Sequence, residues 1–258
     1  MSVKNSILET KDLSKVFHGI AGSSIHVLDG ISFTIEPLEN NNGLTSILSP
    51  SGAGKSFLLK IISAIEKPSS GEVLLNGKKY VQPGGGIAYI PEKASSFPWM
   101  SVSQNIEFAL NLRDISQDEI KKRKEELINL VGLSGYEKHY PHEKSSGFRF
   151  RIALARALAV QPEVILLDEC FKGLHNESKR ELYSLVKSIN HELKVTFILA
   201  TSNIPEAIEL SNKILLMKRR PGKIIRQIDM VDFNKSHQGD SKHVELKNEI
   251  EKSFEAIQ

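Results

Sequence analysis

Polar and apolar positions change their period several times along the chain, and each change predicts a different element. From Ser6 to Ile35 they alternate, the period-two pattern of antiparallel strands with one buried face. Thr45-Ser46-Ile47-Leu48 is a short strand that runs into a glycine-bearing turn and then an apolar helix, predicted from Phe57 to Ile65. Val164-Ile165-Leu166-Leu167 and Val195 to Ala200 show no alternation, which predicts strands buried on both faces, as in a parallel sheet covered by helices. Strand, helix and strand in that order imply right-handed crossovers and an α/β core. Ser101 to Leu158 instead reads as successive helices, at Ser103 to Leu112, Asp118 to Val131 and Gly147 to Ala159. The economical arrangement is a helical subdomain, about residues 98–158, inserted between core strands. Pro221-Gly222 opens a last strand, Lys223 to Asp229. Beyond a polar stretch, 234–240, the residues Leu246, Ile250, Phe254 and Ile257 fall at helical spacing. Their single apolar stripe is expected to pack on the body rather than on a partner. The expected organisation is one domain over residues 1–232, then a linker and helix over 233–258.

Composition narrows the class without naming a function. The chain has 258 residues, 40% hydrophobic and 25% charged, close to the globular average, which excludes a disordered or fibrous protein. It holds no apolar run of about eighteen residues that would span a bilayer. Met1 to Thr10 lacks the apolar core of a secretory signal. Its single cysteine, Cys170, excludes an internal disulfide scaffold. A net charge of +3, from 34 basic and 31 acidic residues, is too balanced to argue for a nucleic-acid surface, and no nucleic-acid partner is expected.

The chemistry lies in two motifs. Ser49-Pro50-Ser51-Gly52-Ala53-Gly54-Lys55-Ser56 sits between a strand and a helix, the context a phosphate-binding loop requires. Gly52 and Gly54 let successive backbone N–H groups curl round phosphate oxygens, and the dipole of the following helix adds to them. Lys55 supplies charge to the β- and γ-phosphates of a nucleotide, and the Ser56 hydroxyl is placed to ligate Mg²⁺. The strict pattern begins with glycine, and here that position is Ser49. The second motif is Asp168-Glu169 at the end of the Val164 strand. Asp168 can hold Mg²⁺ through water, and Glu169 can polarise an attacking water as general base.

With Gly71-Glu72-Val73-Leu74-Leu75-Asn76-Gly77, and with Arg151 to Leu158 running into Pro162 to Glu169, these motifs resemble the nucleotide-binding subunit of an ATP-binding cassette (ABC) transporter. The resemblance extends from Leu8 to about Asp229. It implies an α/β P-loop NTPase (ABC ATPase) core with an inserted helical subdomain and an N-terminal antiparallel β-subdomain. It also implies ATP and Mg²⁺ as cofactors, with Ser49 to Ser56 and the adjoining Phe57 on the phosphates. Phe17 stands where such proteins stack an aromatic on adenine; a simple core phenylalanine is the alternative. Phe97-Pro98-Trp99-Met100-Ser101-Val102 and Lys218-Arg219-Arg220-Pro221-Gly222-Lys223-Ile224 resemble the importer branch that serves nitrate, sulfonates, taurine and related small solutes. There Phe97, Trp99 and Met100 would line a groove for a permease helix, although Trp99 as core filler also fits the residues.

The departures from the family pattern bear on mechanism. Its glutamine is Glu92 here, which can still assist a metal but adds negative charge. Its signature loop is Lys144-Ser145-Ser146-Gly147-Phe148, so Ser145, Ser146 and Gly147 would meet phosphate from an opposing subunit. His175 replaces an aspartate, Ser202 replaces the switch histidine, and Cys170 fills a proline position, where packing or redox chemistry are both open. The expected function is binding and hydrolysis of Mg·ATP to drive import of a small solute. Expected partners are membrane permease subunits, a second nucleotide-binding subunit and a solute-binding protein, at the cytoplasmic face of the membrane. The rivals are a degenerate subunit that binds ATP beside an intact partner, and a soluble ABC ATPase of repair or translation.

Overall fold

The computed structural model describes residues 6–19, 23–36, 43–93, 95–230 and 241–257. They fall into two compact units, Met1–Pro83 with Thr196–Gln258, and Gly84–Val195.

In the first unit the alternating N-terminal stretch forms β1 (Leu8–His18) and β2 (Ser24–Ile35), paired antiparallel with Leu8 opposite Ile35. On the other side of β1 lies β4 (Ser70–Leu75), followed by the short β5 (Lys78–Lys79), giving the order β2-β1-β4-β5. The Val27–Leu28 segment of β2 also reaches the site below. A second set of strands carries the chemistry. Here β3 (Leu44–Leu48) is parallel to β8 (Thr196–Thr201) on one side and to β9 (Lys213–Lys218) on the other, and β10 (Lys223–Asp229) closes antiparallel on β9. Every residue of β3 and β8 is buried, which is why both lack polar alternation.

The helix after β3, α1, runs Lys55–Ile62 rather than Phe57 to Ile65. It starts earlier because the loop itself supplies the first turn, with Leu58 N–H on Gly54 O at 2.9 Å. It stops earlier because Ala64 turns to φ 57° just beyond the Ser63 cap, leaving Ile65 exposed. After β8, Asn203 caps α6 (Ile204–Leu210) by accepting from Glu206 N–H at 2.9 Å. The last helix, α7 (Ser241–Glu255), lays Ile250 and Phe254 on Leu48, Ala207 and Leu216, with Ile257 at the edge of the cluster. The side chain of Leu246 and the stretch 234–240 lie outside the described residues.

In the second unit, β6 (Ile87–Ile90) and β7 (Val164–Asp168) run parallel with Ile90 opposite Leu167. Between them lie α2 (Val102–Leu110), α3 (Gln117–Leu130) and α4 (Ser146–Ala159), each starting at a serine whose side chain accepts a backbone N–H of the first turn. Ser101 and Gln104 complete a reciprocal capping box, so α2 begins one residue before its predicted start and leaves Leu112 beyond its end, exposed. The amphipathic α5 (Asn176–Leu193) follows β7, and the rings of Phe150, Phe171 and Tyr183 meet in series, the first pair tilted and the second edge-on, each 5.1 Å from the next.

Candidate functional site

The phosphate loop in the first unit is shaped by backbone. Ser49 is fully buried and its N–H donates to Thr201 O of β8 at 3.1 Å, so the absent first glycine leaves the loop's origin anchored. Gly54 caps α1 at φ 95°, a left-handed conformation that favours glycine. Lys55 is buried, and its ammonium donates to Ser49 O at 2.8 Å and Pro50 O at 3.1 Å, crossing the loop like a strut. Ser56 is exposed at the helix start.

Behind this loop stands a support that sequence reading missed. Gly222 N–H donates to Val27 O at 2.9 Å, and Asp29 N–H donates to Gly222 O at 3.0 Å, clipping the Pro221-Gly222 turn to β2. A Cβ on Gly222 would fall 2.4 Å from Ala53 O, so the turn lies flat against the phosphate loop. Pro221-Gly222 marks a turn in the sequence, but nothing local says what the turn touches.

Phe17 is 39% exposed, which removes the core alternative, and its ring meets Phe57 edge-on at 5.3 Å. The Lys15 ammonium lies 5.0 Å from the Phe17 centroid while it donates to Glu66 at 2.6 Å. At the switch position, Ser202 is half-buried between Thr201 and Asn203. Asn203 is occupied as the α6 cap, and its N–H donates to Thr201 Oγ1 at 3.0 Å.

In the second unit Asp168 closes β7 with only 3% exposure. Its Oδ2 accepts from the Tyr89 hydroxyl at 2.8 Å, whereas Oδ1 is buried with no hydrogen-bond partner among the described residues. A buried carboxylate oxygen without a donor is costly unless a cation or water meets it, so the residue fits a Mg²⁺ ligand. Burial, reinforced by the Asp168 charge, pushes the Tyr89 phenol far up, so it stays a donor. Glu169 follows at φ 49°, a strained left-handed backbone for a side chain of this type, and is itself buried.

Glu92 does not stand alone. Its Oε1 lies 3.1 Å from Lys172 Nζ, and the hydrogen bond to Glu92, followed by the charges of Glu92 and Glu169, raises the lysine's pKa. Cys170 is buried with Sγ 3.3 Å from Ile90 O, the geometry of a packed residue joining the two strands. Ser145 uses its hydroxyl as the α4 cap, accepting from Phe148 N–H at 3.3 Å; Ser146 opens the helix and Gly147 is buried. Phe148 turns its ring onto Tyr136 at 5.6 Å. His175 precedes α5 without a side-chain cap.

A separate aromatic patch gathers Phe97, Trp99 and Phe108, with ring separations from Phe97 of 5.5 and 5.0 Å and the Arg156 guanidinium 4.2 Å over the Phe97 ring. Trp99 is 69% exposed, so it is no core filler. Met100 is half-buried beside it. The loop is tied by a second residue that sequence reading missed. Fully buried Asn105 accepts from Phe97 N–H at 2.8 Å and donates to the carbonyls of Phe97, Met100 and Ser101 at 3.1, 2.9 and 3.0 Å. Its only sequence signal is a polar residue on the apolar face of α2.

The family model for ABC transporters matches residues 28–172. The aliphatic sulfonates import ATP-binding protein SsuB of Bacillus cereus is 36% identical over 241 residues, 93% of this chain and 91% of that protein. The nitrate import ATP-binding protein NrtD of Synechocystis sp. is 34% identical over 221 residues, covering 86% and 81% of the two chains. Among solved structures, a dimeric post-hydrolysis state of an ATP-binding cassette bound to ADP and phosphate superimposes with a TM-score of 0.74 at 25% identity, over 86% of this chain and 98% of that one. A cassette from Clostridium perfringens, part of an ABC transporter complex, gives 0.75 at 27% identity, over 90% and 92%. The phosphate loop, the buried acid at the end of β7 and likeness over most of the chain agree: this chain belongs to the ABC transporter family.

Proposed function

We propose that this chain is the ATP-binding subunit of an importer and hydrolyses Mg·ATP to drive a small solute through a membrane permease. The observation that carries the reading is that one chain holds both a phosphate loop spanned by its own lysine and a buried aspartate with one oxygen unpartnered among the described residues. Lys55 and the amides from Gly52 to Ser56 would bind the phosphates, and Phe17, backed by Phe57, would stack on adenine. Ser56 and Asp168 would hold Mg²⁺, with Glu92 assisting. Mg²⁺ supplies, when bound, charge to the β- and γ-phosphate oxygens.

Glu169 would accept the proton of the attacking water, and its strained backbone supports that role. Ser145, Ser146 and Gly147 would meet the phosphate held by a second nucleotide-binding subunit, while the α4 N-terminus adds its dipole. Phe97, Trp99 and Met100 would dock a permease helix, with the chain peripheral at the cytoplasmic face of the membrane and a solute-binding protein completing the system. Trp99→Ala is then expected to weaken assembly by about 2 kcal/mol without changing ATP affinity.

Calorimetry tests the phosphate site. Lys55→Ala is expected to abolish ATP binding in a folded protein, and equal affinity in the two proteins would remove the assignment. Glu169→Gln is expected to bind ATP normally and to lower turnover by about a hundredfold or more; unchanged turnover would exclude it as the base.

A further inference from the structure

The parallel pairing of β6 and β7 brings three carboxylates to one edge. Ile90 lies opposite Leu167, so the residues after each leave the same end of the strands: Glu92 from β6, and Asp168 and Glu169 from β7. Lys172 is bonded to Glu92 at 3.1 Å and lies within electrostatic range of Glu169 and Asp168. Both ends of this ion pair stand on anchored backbone. Lys172 N–H donates to Glu169 O at 3.1 Å, and the Cys170 thiol reaches Ile90 O and Pro91 O at 3.3 and 3.8 Å, just before Glu92. The two side chains are about half exposed, at 54% and 52%, so neither is needed to fill the core.

An unpaired carboxylate here would add a third negative charge beside Asp168 and Glu169, and would also attract a cation. Paired to an ammonium, it presents the net charge of a neutral polar group. We propose that Lys172 is a positioning residue that holds and neutralises Glu92, and that through this pair it sets the Mg²⁺ dependence of nucleotide binding. This rests on the reading of Asp168 as a holder of Mg²⁺. Lys172 acts through Glu92, so its effect has to disappear when Glu92 is made neutral.

The test is a double-mutant cycle on the full chain. ATP affinity is measured by calorimetry once with Mg²⁺ and once with EDTA, and the quantity read is the ratio of the two. Lys172→Met frees the carboxylate, so metal-free ATP binds more weakly and the ratio rises by up to about fivefold, the span of an exposed ion pair. Lys172→Arg keeps the wild-type ratio. In the Glu92→Gln background, Lys172→Met leaves the ratio where it stands. An equal rise in both backgrounds would overturn the proposal, because Lys172 would then act on the nucleotide directly. A wild-type ratio above one that Lys172→Met does not move would also overturn it, leaving the metal reading intact. A wild-type ratio of one would remove the metal reading and this proposal with it.

Discussion

The loops of the two units are held in opposite ways. In the first unit the phosphate loop is set mainly by backbone, Ser49 N–H on Thr201 O and Gly222 laid against Ala53 O, with a single side chain, Lys55, braced on the carbonyls of Ser49 and Pro50. In the second unit, side chains hold the loops: Asn105 ties residues 97–101, Tyr89 orients Asp168, and Lys172 pairs with Glu92. A backbone-built site depends on where side chains are absent. It accepts serine at position 49, whose N–H does the work, and does not accept a Cβ at Gly222. A side-chain-built site depends on matched partners, such as the paired Glu92 and Lys172.

The largest effect that would break this contrast is expected from Gly222→Val. Its Cβ would meet a backbone oxygen at 2.4 Å, a contact that only backbone movement can relieve. The expected cost is about 3 kcal/mol of stability, with loss of ATP affinity; a thermal melt and calorimetry check both. If the variant melts like wild type, the flat approach of the turn is not what shapes the loop.

Asn105→Ala comes next. It removes one acceptor and a donor group shared by three carbonyls at a fully buried position, with an expected loss of about 2 kcal/mol by denaturant titration. The fluorescence of Trp99, the single tryptophan, should change as its loop loosens. Asn105→Asp separates the two halves of the network, because it keeps the acceptor for Phe97 N–H and loses the donors.

The smallest effect is expected from Tyr89→Phe, which removes one hydrogen bond to Asp168 and leaves the ring in place. A loss of about 1 kcal/mol is expected, or a several-fold higher Mg²⁺ requirement for ATP binding if the bond serves to aim the free oxygen. Unchanged metal dependence would assign Tyr89 to packing alone.

Much of this was legible from local pattern. The phosphate loop, the acids at the end of β7 and the existence of the inserted helices are short-range: a strand buried on both faces shows as an unbroken apolar run, and a helix shows as a recurring apolar period. What local pattern misplaced was the extent of α1 and α2. The start of α1 depends on Gly54 serving as the cap, and its end on the left-handed turn at Ala64; α2 begins early because Ser101 is its cap. The exposure of Phe17 and Trp99 was open as well, since an aromatic beside a turn reads the same whether it faces core or solvent.

The sequence by itself therefore determined the elements, the phosphate loop and the family, because each rests on residues a few positions apart that interact through backbone period and cap geometry. Tertiary structure alone decided that Gly222 lies under Ala53, that Tyr89 meets Asp168, and that Lys172 pairs with Glu92. Strand pairing brings each of those residues to its partner. Register, set by which faces are buried across the whole sheet, chooses the partner, and no local run of residues carries that information.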